Sequence, residues 1–392
     1  MRPGERRYLA APDILRIVSI GLVGWYHIWQ QSWLDPGFFL GKRYIDLQAV
    51  VRHGYMMVDV ILVISGFLLV LPHARARFGL GERLSVREFY LKRFWRIIPS
   101  YLLAIVLCLV LWVLPRGEYA DGGFLARDLL AHFTFTHNLF YDTYFFTPLP
   151  VVLWTMGVEV QFYLLFPLVG RLFEEKPGLT CLGLALAAFL FRAAVYPMED
   201  TTILVNQLPG MLDLYACGMA AGYLYVRLER KELRPALRWA LAGLALVALL
   251  AILQLLYHGI VGDYPGIRRQ QMVFRLPLGL AAGVFLLCGG LGPAVLARAL
   301  GNPVTRFFSA ISYNFYIWHT VAALRLKDAR IPAYEAVENP NMAGEQPWQT
   351  RYTLLCFLAA ILVSAAVTYL WERPLNRYGL RRMTDHKRSG SV

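Results

Sequence analysis

Residues 13–33 read D-I-L-R-I-V-S-I-G-L-V-G-W-Y-H-I-W-Q-Q-S-W. After Arg16 the next charged residue is Asp35. A helix crosses the hydrocarbon core of a bilayer in about 20 mostly apolar residues, and this stretch has that length and character. It also carries an arginine and a histidine, which hydrocarbon does not tolerate without compensation. The rest of the chain repeats the pattern. Apolar runs recur at about 54–71, 97–114, 150–170, 178–196, 208–226, 239–257, 272–290, 304–324 and 352–371. With the first, at about 14–33, they make ten candidate spans.

Composition agrees. Of 392 residues, 57% are hydrophobic and 17% charged, whereas globular domains run at about a quarter charged. The expected fold is an all-α integral membrane bundle of about ten transmembrane helices. The expected organisation is one transmembrane domain over 1–376 and a basic tail over 377–392, with no soluble domain. The stretch 125–147 is aromatic but broken by polar residues, as a re-entrant or interfacial segment would be. The basic N-terminus leads into a full-length span without a small-residue cleavage site, so no cleaved signal is expected. Cys108, Cys181, Cys217, Cys288 and Cys356 all lie in apolar runs and none pair at metal-ligand spacing. They read as packing residues. No metal and no nucleic-acid partner is expected.

Charge asymmetry sets the expected orientation. With a cytoplasmic N-terminus, the cytoplasmic pieces carry 25 Lys or Arg against 9 Asp or Glu, and the opposite loops carry 11 against 13. Lys and Arg are retained on the cytoplasmic side. An even number of spans then returns the C-terminus to the cytoplasm.

Within the spans or at their edges lie Asp13, Arg16, Asp59, Glu159, Arg192, Asp213 and Arg275. Such charges are costly and by default face a cavity or a partner. Arg192 and Arg275 sit near helix ends and are expected to snorkel to the interface. Arg16 and His27 are eleven positions apart. That is about three turns plus roughly 20°, so both lie on one face, about 16 Å apart along the axis. Asp59, Asp213, His319 and His27 each fall about five or six residues from the outer end of a span, one layer within roughly 3 Å of depth. Glu159 lies nearer the midplane. A lone membrane histidine more often bonds a neighbouring helix. A histidine level with carboxylates also suits a general base held in one tautomer.

Residues 87–99 read R-E-F-Y-L-K-R-F-W-R-I-I-P. Arg93 and Arg96 share a helix face, with Lys92 beside them. The segment suits anionic lipid and equally suits a phosphorylated cytosolic cofactor, because the guanidinium fork matches phosphate. No glycine-rich phosphate loop of the nucleotide-hydrolase type is present.

Six ordered motifs resemble those of the acyltransferase-3 family of membrane acyltransferases. They are D-I-L-R…Y-H (13–27), G-Y-M-M-V-D-V-I-L-V-I-S-G-F-L (54–68), F-Y-L-K-R-F-W-R-I-I-P (89–99), L-W-T-M-G-V-E-V-Q-F-Y-L-L-F-P (153–167), I-S-Y-N-F-Y-I-W-H (311–319) and L-W-E-R-P-L (370–375). Two departures stand out: Ile14 replaces a usual glycine, and Val160 replaces the second carboxylate of a Glu-Glu pair, leaving Glu159 alone.

The resemblance implies transfer of an acyl group, acetyl being the commonest, from cytosolic acyl-CoA. The acceptor would be a hydroxyl of an extracytoplasmic glycan or lipid-linked sugar, at the bacterial cytoplasmic membrane. It implies His27 as base or transient acyl carrier, with Arg16, Asp59, Glu159 and His319 completing the catalytic set. Lys92, Arg93, Arg96, Tyr101 and Arg16 would hold acyl-CoA. Besides acyl-CoA and the acceptor, the expected partners are membrane lipids. The loop 325–351, with Tyr334 and Trp348, is a candidate cover for the acceptor entrance. The competing reading is a transporter or flippase of a lipid-linked or acylated glycan, since intramembrane Asp, Glu and His also suit proton-coupled transport. The sequence lacks the paired broken helices of inverted repeats that would favour it.

Overall fold

The computed structural model describes residues 8–258, 264–334 and 346–379. The tail from residue 380 and the loop segment 335–345 lie outside the described residues. The first elements are α1 (Ala10–Ser32), β1 (Gly37–Leu40), β2 (Arg43–Asp46), α2 (Gln48–Arg52), α3 (Met57–Arg77) and α4 (Val86–Cys108). Then come α5 (Gly122–Phe133), α6 (Tyr141–Phe145), α7 (Trp154–Glu175), α8 (Pro177–Val195) and α9 (Leu212–Glu229). The last are α10 (Pro235–Tyr257), α11 (Tyr264–Leu291), α12 (Ala294–Leu300), α13 (Pro303–Asp328) and α14 (Gln346–Ala366). The β1–β2 hairpin, turning at Gly41 with φ +64°, is the one departure from an all-α chain among the described residues. The aromatic stretch 125–147 forms the short helices α5 and α6.

Seven helical segments among the described residues are long and apolar enough to cross a membrane: 54–77, 86–116, 151–175, 177–195, 235–257, 266–291 and 348–379. The protein is a multi-pass membrane protein. The expected spans at 14–33, 208–226 and 304–324 also fall on helices (α1, α9 and α13), but these do not reach that apolarity and length. They carry the polar residues that make them interesting: Arg16 and His27, Asp213, and Asn314 and His319. The apolar window of α8 is 17% buried and that of α10 22%, against 83% for α3. Exposed Leu182, Phe189, Leu246 and Val247 on α8 and α10 suit a lipid-facing surface, while α3 is core.

The described residues divide into two compact units. The first contains residues up to Val23, Phe39–Arg83 and Leu168–Ala310; the second contains Gly24–Phe38, Leu84–Pro167 and Ile311 onward.

In the first unit α3 packs against α9 at backbone distance. A Cβ on Gly66 would lie 2.5 Å from the Tyr215 carbonyl oxygen, and one on Gly218 would overlap the Val63 carbonyl oxygen. Small residues permit this approach where apolar lipid gives no hydrophobic drive between helices. The contact explains Gly66 of the I-S-G-F-L motif. Two ion pairs are buried nearby. Arg192 donates to both carboxylate oxygens of Asp213, at 2.9 and 2.6 Å. Arg275 Nε donates to Asp59 at 3.3 Å, and its other nitrogens reach Val205 O and Asn206 Oδ1. Arg275 is 0% and Arg192 8% exposed. Neither snorkels as expected. A partner carboxylate at the same depth, with carbonyls for the remaining N–H groups, removes the need to reach water.

In the second unit three of the quoted motifs interlock. Tyr313 OH donates to Ile97 O at 3.0 Å, and Trp371 Nε1 to Pro99 O at 2.9 Å. Asn314 Nδ2 donates to Glu372 at 2.7 Å and to Thr368 Oγ1 at 2.8 Å. Thr368 and Glu372 lie on a π-helical turn, Val367–Glu372, that continues α14. Such turns bulge the helix and are frequent at functional sites. Ile28, Ala323, Trp348, Tyr352 and Cys356 form an apolar cluster, with Tyr334 packed against it.

Candidate active site

In the second unit His27 Nδ1 lies 2.8 Å from His319 Nε2, and His319 Nδ1 lies 3.0 Å from Phe315 O. A carbonyl oxygen only accepts, so His319 Nδ1 carries the proton that it donates. In neutral His319, Nε2 is then an acceptor. His27 must donate to it from Nδ1, which leaves the lone pair of His27 on Nε2. The chain of two hydrogen bonds therefore assigns both tautomers. His319 is fully buried and His27 half-buried. The expected level match between them is direct contact.

The packing that holds this pair is local. Gly24 sits one turn before His27 on α1, and a Cβ there would lie 2.6 Å from Phe315 Cε1. The Phe315 ring stacks on His319, centroids 5.8 Å apart and planes at 9°. Glycine at 24 therefore lets α1 approach the ring that backs His319. The Tyr316 ring also lies near, 5.9 Å from that of His319 between centroids.

Glu159 on α7 accepts from Tyr163 OH at 2.5 Å and interacts electrostatically with Tyr313 and Tyr316. Tyr316 also bonds the Thr155 hydroxyl. Thr155, Glu159 and Tyr163 are spaced by four and share one face of α7. At the end of that stripe the Arg93 guanidinium lies 5.2 Å from the Tyr163 ring centroid and 5.7 Å from that of Phe89. Arg96 interacts electrostatically with Glu372 and Tyr313. Lys92 pairs with Glu88 at 2.8 Å. Tyr101 is different: it is fully buried and donates its hydroxyl to His132 O at 2.9 Å. Nothing in that geometry supports its expected contact with a cofactor.

In the first unit Arg16 Nη1 lies 3.3 Å from Asp13 Oδ1 and 3.2 Å from Ser309 Oγ, and Ser309 Oγ donates to Asp13 at 2.6 Å. Tyr8 OH donates to the other oxygen of Asp13. Burial, with the Asp13 carboxylate beside it, pushes the Tyr8 hydroxyl up to about 12, which keeps it a donor. Asp59, expected beside a catalytic histidine, is committed to Arg275. Among the described residues no group of three or more His, Cys, Asp or Glu is placed to hold a metal ion.

Sequence reasoning missed Asn314 and Glu372 as a bonded pair, though both stand inside quoted motifs. It also missed Asp128. This buried carboxylate on α5 accepts from Tyr119 OH at 2.6 Å and Thr147 Oγ1 at 2.7 Å and lies 3.1 Å from His132 Nδ1. Only His132 stands at helical spacing from it; Tyr119 and Thr147 come from outside α5, which no spacing rule announces.

A family model described as an acyltransferase domain matches residues 9–372. The chain belongs to the acyltransferase-3 family. It is 26% identical over 335 residues to the peptidoglycan O-acetyltransferase OatA of Listeria monocytogenes, covering 80% of this chain and 49% of that one. It is 24% identical over 325 residues to YrhL of Bacillus subtilis, provisionally named a peptidoglycan O-acetyltransferase, covering 75% and 49%. A protein of Acidianus two-tailed virus, provisionally named an acetyltransferase, is 25% identical over 308 residues, 76% of this chain and 78% of its own length. The chain spans about half the length of the two bacterial relatives. No solved structure matches it.

Proposed function

We propose that this acyltransferase-3 protein moves an acyl group, acetyl in the first instance, from cytosolic acyl-CoA to a hydroxyl of an extracytoplasmic glycan. The orientation is N-terminus and C-terminus in the cytoplasm, as the charge asymmetry of the loops suggests. The two relatives whose names give peptidoglycan as acceptor support a glycan hydroxyl.

The observation that carries the reading is the relay His27–His319–Phe315 O. A general base must be within hydrogen-bond reach of its proton and hold its lone pair in place. His27 Nε2 takes the proton of the acceptor hydroxyl as the oxygen attacks the thioester carbonyl. The tetrahedral adduct collapses, the C–S bond breaks, and the imidazolium returns the proton to the departing sulfur. Products are the O-acyl glycan and free CoA. A transient acyl group on His27 divides the same chemistry into two steps. Arg16, held by Asp13 and Ser309 in the first unit, keeps the donor-binding role that the family resemblance implies. Lys92, Arg93 and Arg96 give positive charge at the cytoplasmic end for the CoA phosphates. Glu159 and the tyrosines around it supply polar lining.

The test is CoA release and acyl transfer by protein purified in detergent, with acetyl-CoA as donor. Wild type releases CoA faster in the presence of an acceptor glycan, and His27→Ala does not. Full activity in His27→Ala sinks the mechanism. No acetyl-CoA turnover by wild type sinks the donor assignment.

A further inference from the structure

The second unit contains a cavity of about 270 Å³ that the reaction described above does not use. One wall comes from α13: Thr320, Val321, Leu324 and Arg325. Thr320 directly follows His319, so this wall begins about 1.5 Å beyond His319 along the axis and extends to about 9 Å. Tyr316 stands one turn before Thr320, with its ring 5.9 Å from that of His319.

The opposite wall is locked in place. Thr147 lines the cavity and donates to the buried carboxylate of Asp128, which also holds Tyr119 and His132. Glu118 and Arg325 line the cavity mouth, and each is ion-paired: Glu118 with Arg116, and Arg325 with Asp328. Arg116 pairs with Asp328 at 2.8 Å and with Glu118 at 3.7 Å, and Arg325 pairs with Asp328 at 3.0 Å. Supporting hydrogen bonds of this kind preform a site.

We propose that this cavity seats one neutral sugar ring of the acceptor. Four observations point to that occupant. The volume falls just below the roughly 300–1,000 Å³ of sites for drug-sized ligands, which suits a single ring rather than a chain. The two rim cations are matched by two carboxylates, so the mouth has no surplus charge to recruit a phosphate. Trp112 and Leu149 give an apolar surface for the C–H face of a pyranose. Finally, the Thr320 hydroxyl is buried without a hydrogen-bond partner, and the Arg325 guanidinium, 5.5 Å from the Trp112 ring, adds donors for sugar hydroxyls. Buried hydroxyls are ordinarily satisfied, so an orphan on a residue of the cavity wall is available to a ligand. The proposal rests on the acyl-transfer reading and its orientation, in which α13 runs outward and the cavity opens on the acceptor side.

The test uses purified full-length protein and methyl N-acetyl-β-D-glucosaminide as probe, with sn-glycerol 3-phosphate as an anionic control. Direct binding is measured by equilibrium dialysis, and transfer by CoA release from acetyl-CoA. Thr320→Val and Trp112→Leu should each weaken glycoside binding and raise its KM by roughly tenfold, while the KM for acetyl-CoA and kcat at saturating glycoside stay near wild type. Thermal unfolding checks that both variants fold. Unchanged glycoside affinity in the two folded variants overturns the assignment, as does tighter binding of the anionic control or no binding of the glycoside to wild type. If wild type binds the glycoside through these residues yet never turns over acetyl-CoA, the acyl-transfer reading fails and the sugar site stands.

Discussion

His27 Nδ1 and His319 Nε2 lie 2.8 Å apart, and the Phe315 carbonyl fixes which of the two nitrogens bears the shared proton. A neutral imidazole here does for His27 what a carboxylate does in many triads: it selects the tautomer. It brings no second charge into the membrane. His319→Ala should therefore lower kcat by about 10²–10⁴, the range of general acid–base contributions, with little change in the KM for donor. His319→Gln, whose amide oxygen can accept from Nδ1–H, should recover part of it. Steady-state kinetics on both variants decide the matter. Equal rates in His319→Ala and wild type would rule out the relay.

Gly24→Ala tests the support beneath that pair. The new Cβ must displace the Phe315 ring, which stacks on His319. Overpacking of this kind costs about 1–3 kcal/mol. Activity should fall more steeply than thermal stability, because the displaced ring carries His319 with it. Activity and unfolding temperature measured on one preparation give the comparison.

The Asp59–Arg275 pair is buried and supports the first unit. Arg275→Met alone leaves a buried carboxylate without its partner and should destabilise by about 3–5 kcal/mol. Adding Asp59→Leu should restore most of that loss, as well-packed apolar replacements of buried pairs often do. Denaturation of the single and double variants in detergent reads the coupling directly. A double variant as weak as the single would show that either residue has a further role.

Gly218 and Gly243 make a matched contrast. A Cβ at Gly218 overlaps backbone of α3, whereas one at Gly243 on α10 meets nothing within 4 Å. Gly218→Ala should disrupt the α3–α9 contact and lower expression or stability by more than about 3 kcal/mol. Gly243→Ala should be neutral or stabilising by up to about 1 kcal/mol, the helix-propensity difference. Thermal unfolding of the two single variants checks both signs.

Several features were legible without coordinates. The lengths of apolar runs set helices and a membrane setting, since span length follows from bilayer thickness. The eleven-residue spacing put Arg16 and His27 on one face, because an unbroken helix is a ruler. His319 was placed at the depth of His27 by counting residues. The six motifs gave the family. Other features depended on which helix stands beside which, and how each is rotated. Arg192 and Arg275 look like snorkelling cations in one dimension and are ion-paired in three, since a run of apolar residues does not say which carboxylate faces it. Tyr101 reads as a neighbour of the basic cluster and turns out to point its hydroxyl at α5. Asn314 and Glu372 are 58 residues apart and bond each other.

The sequence by itself determined a multi-pass helical membrane protein of the acyltransferase-3 family, with an arginine and a histidine on one helix face. Those properties are local, fixed by hydrophobic length and helical period. Only the tertiary structure decided that His319 is the partner of His27 and which nitrogen keeps its lone pair. A hydrogen bond has a direction, and direction exists only once two helices have been set side by side.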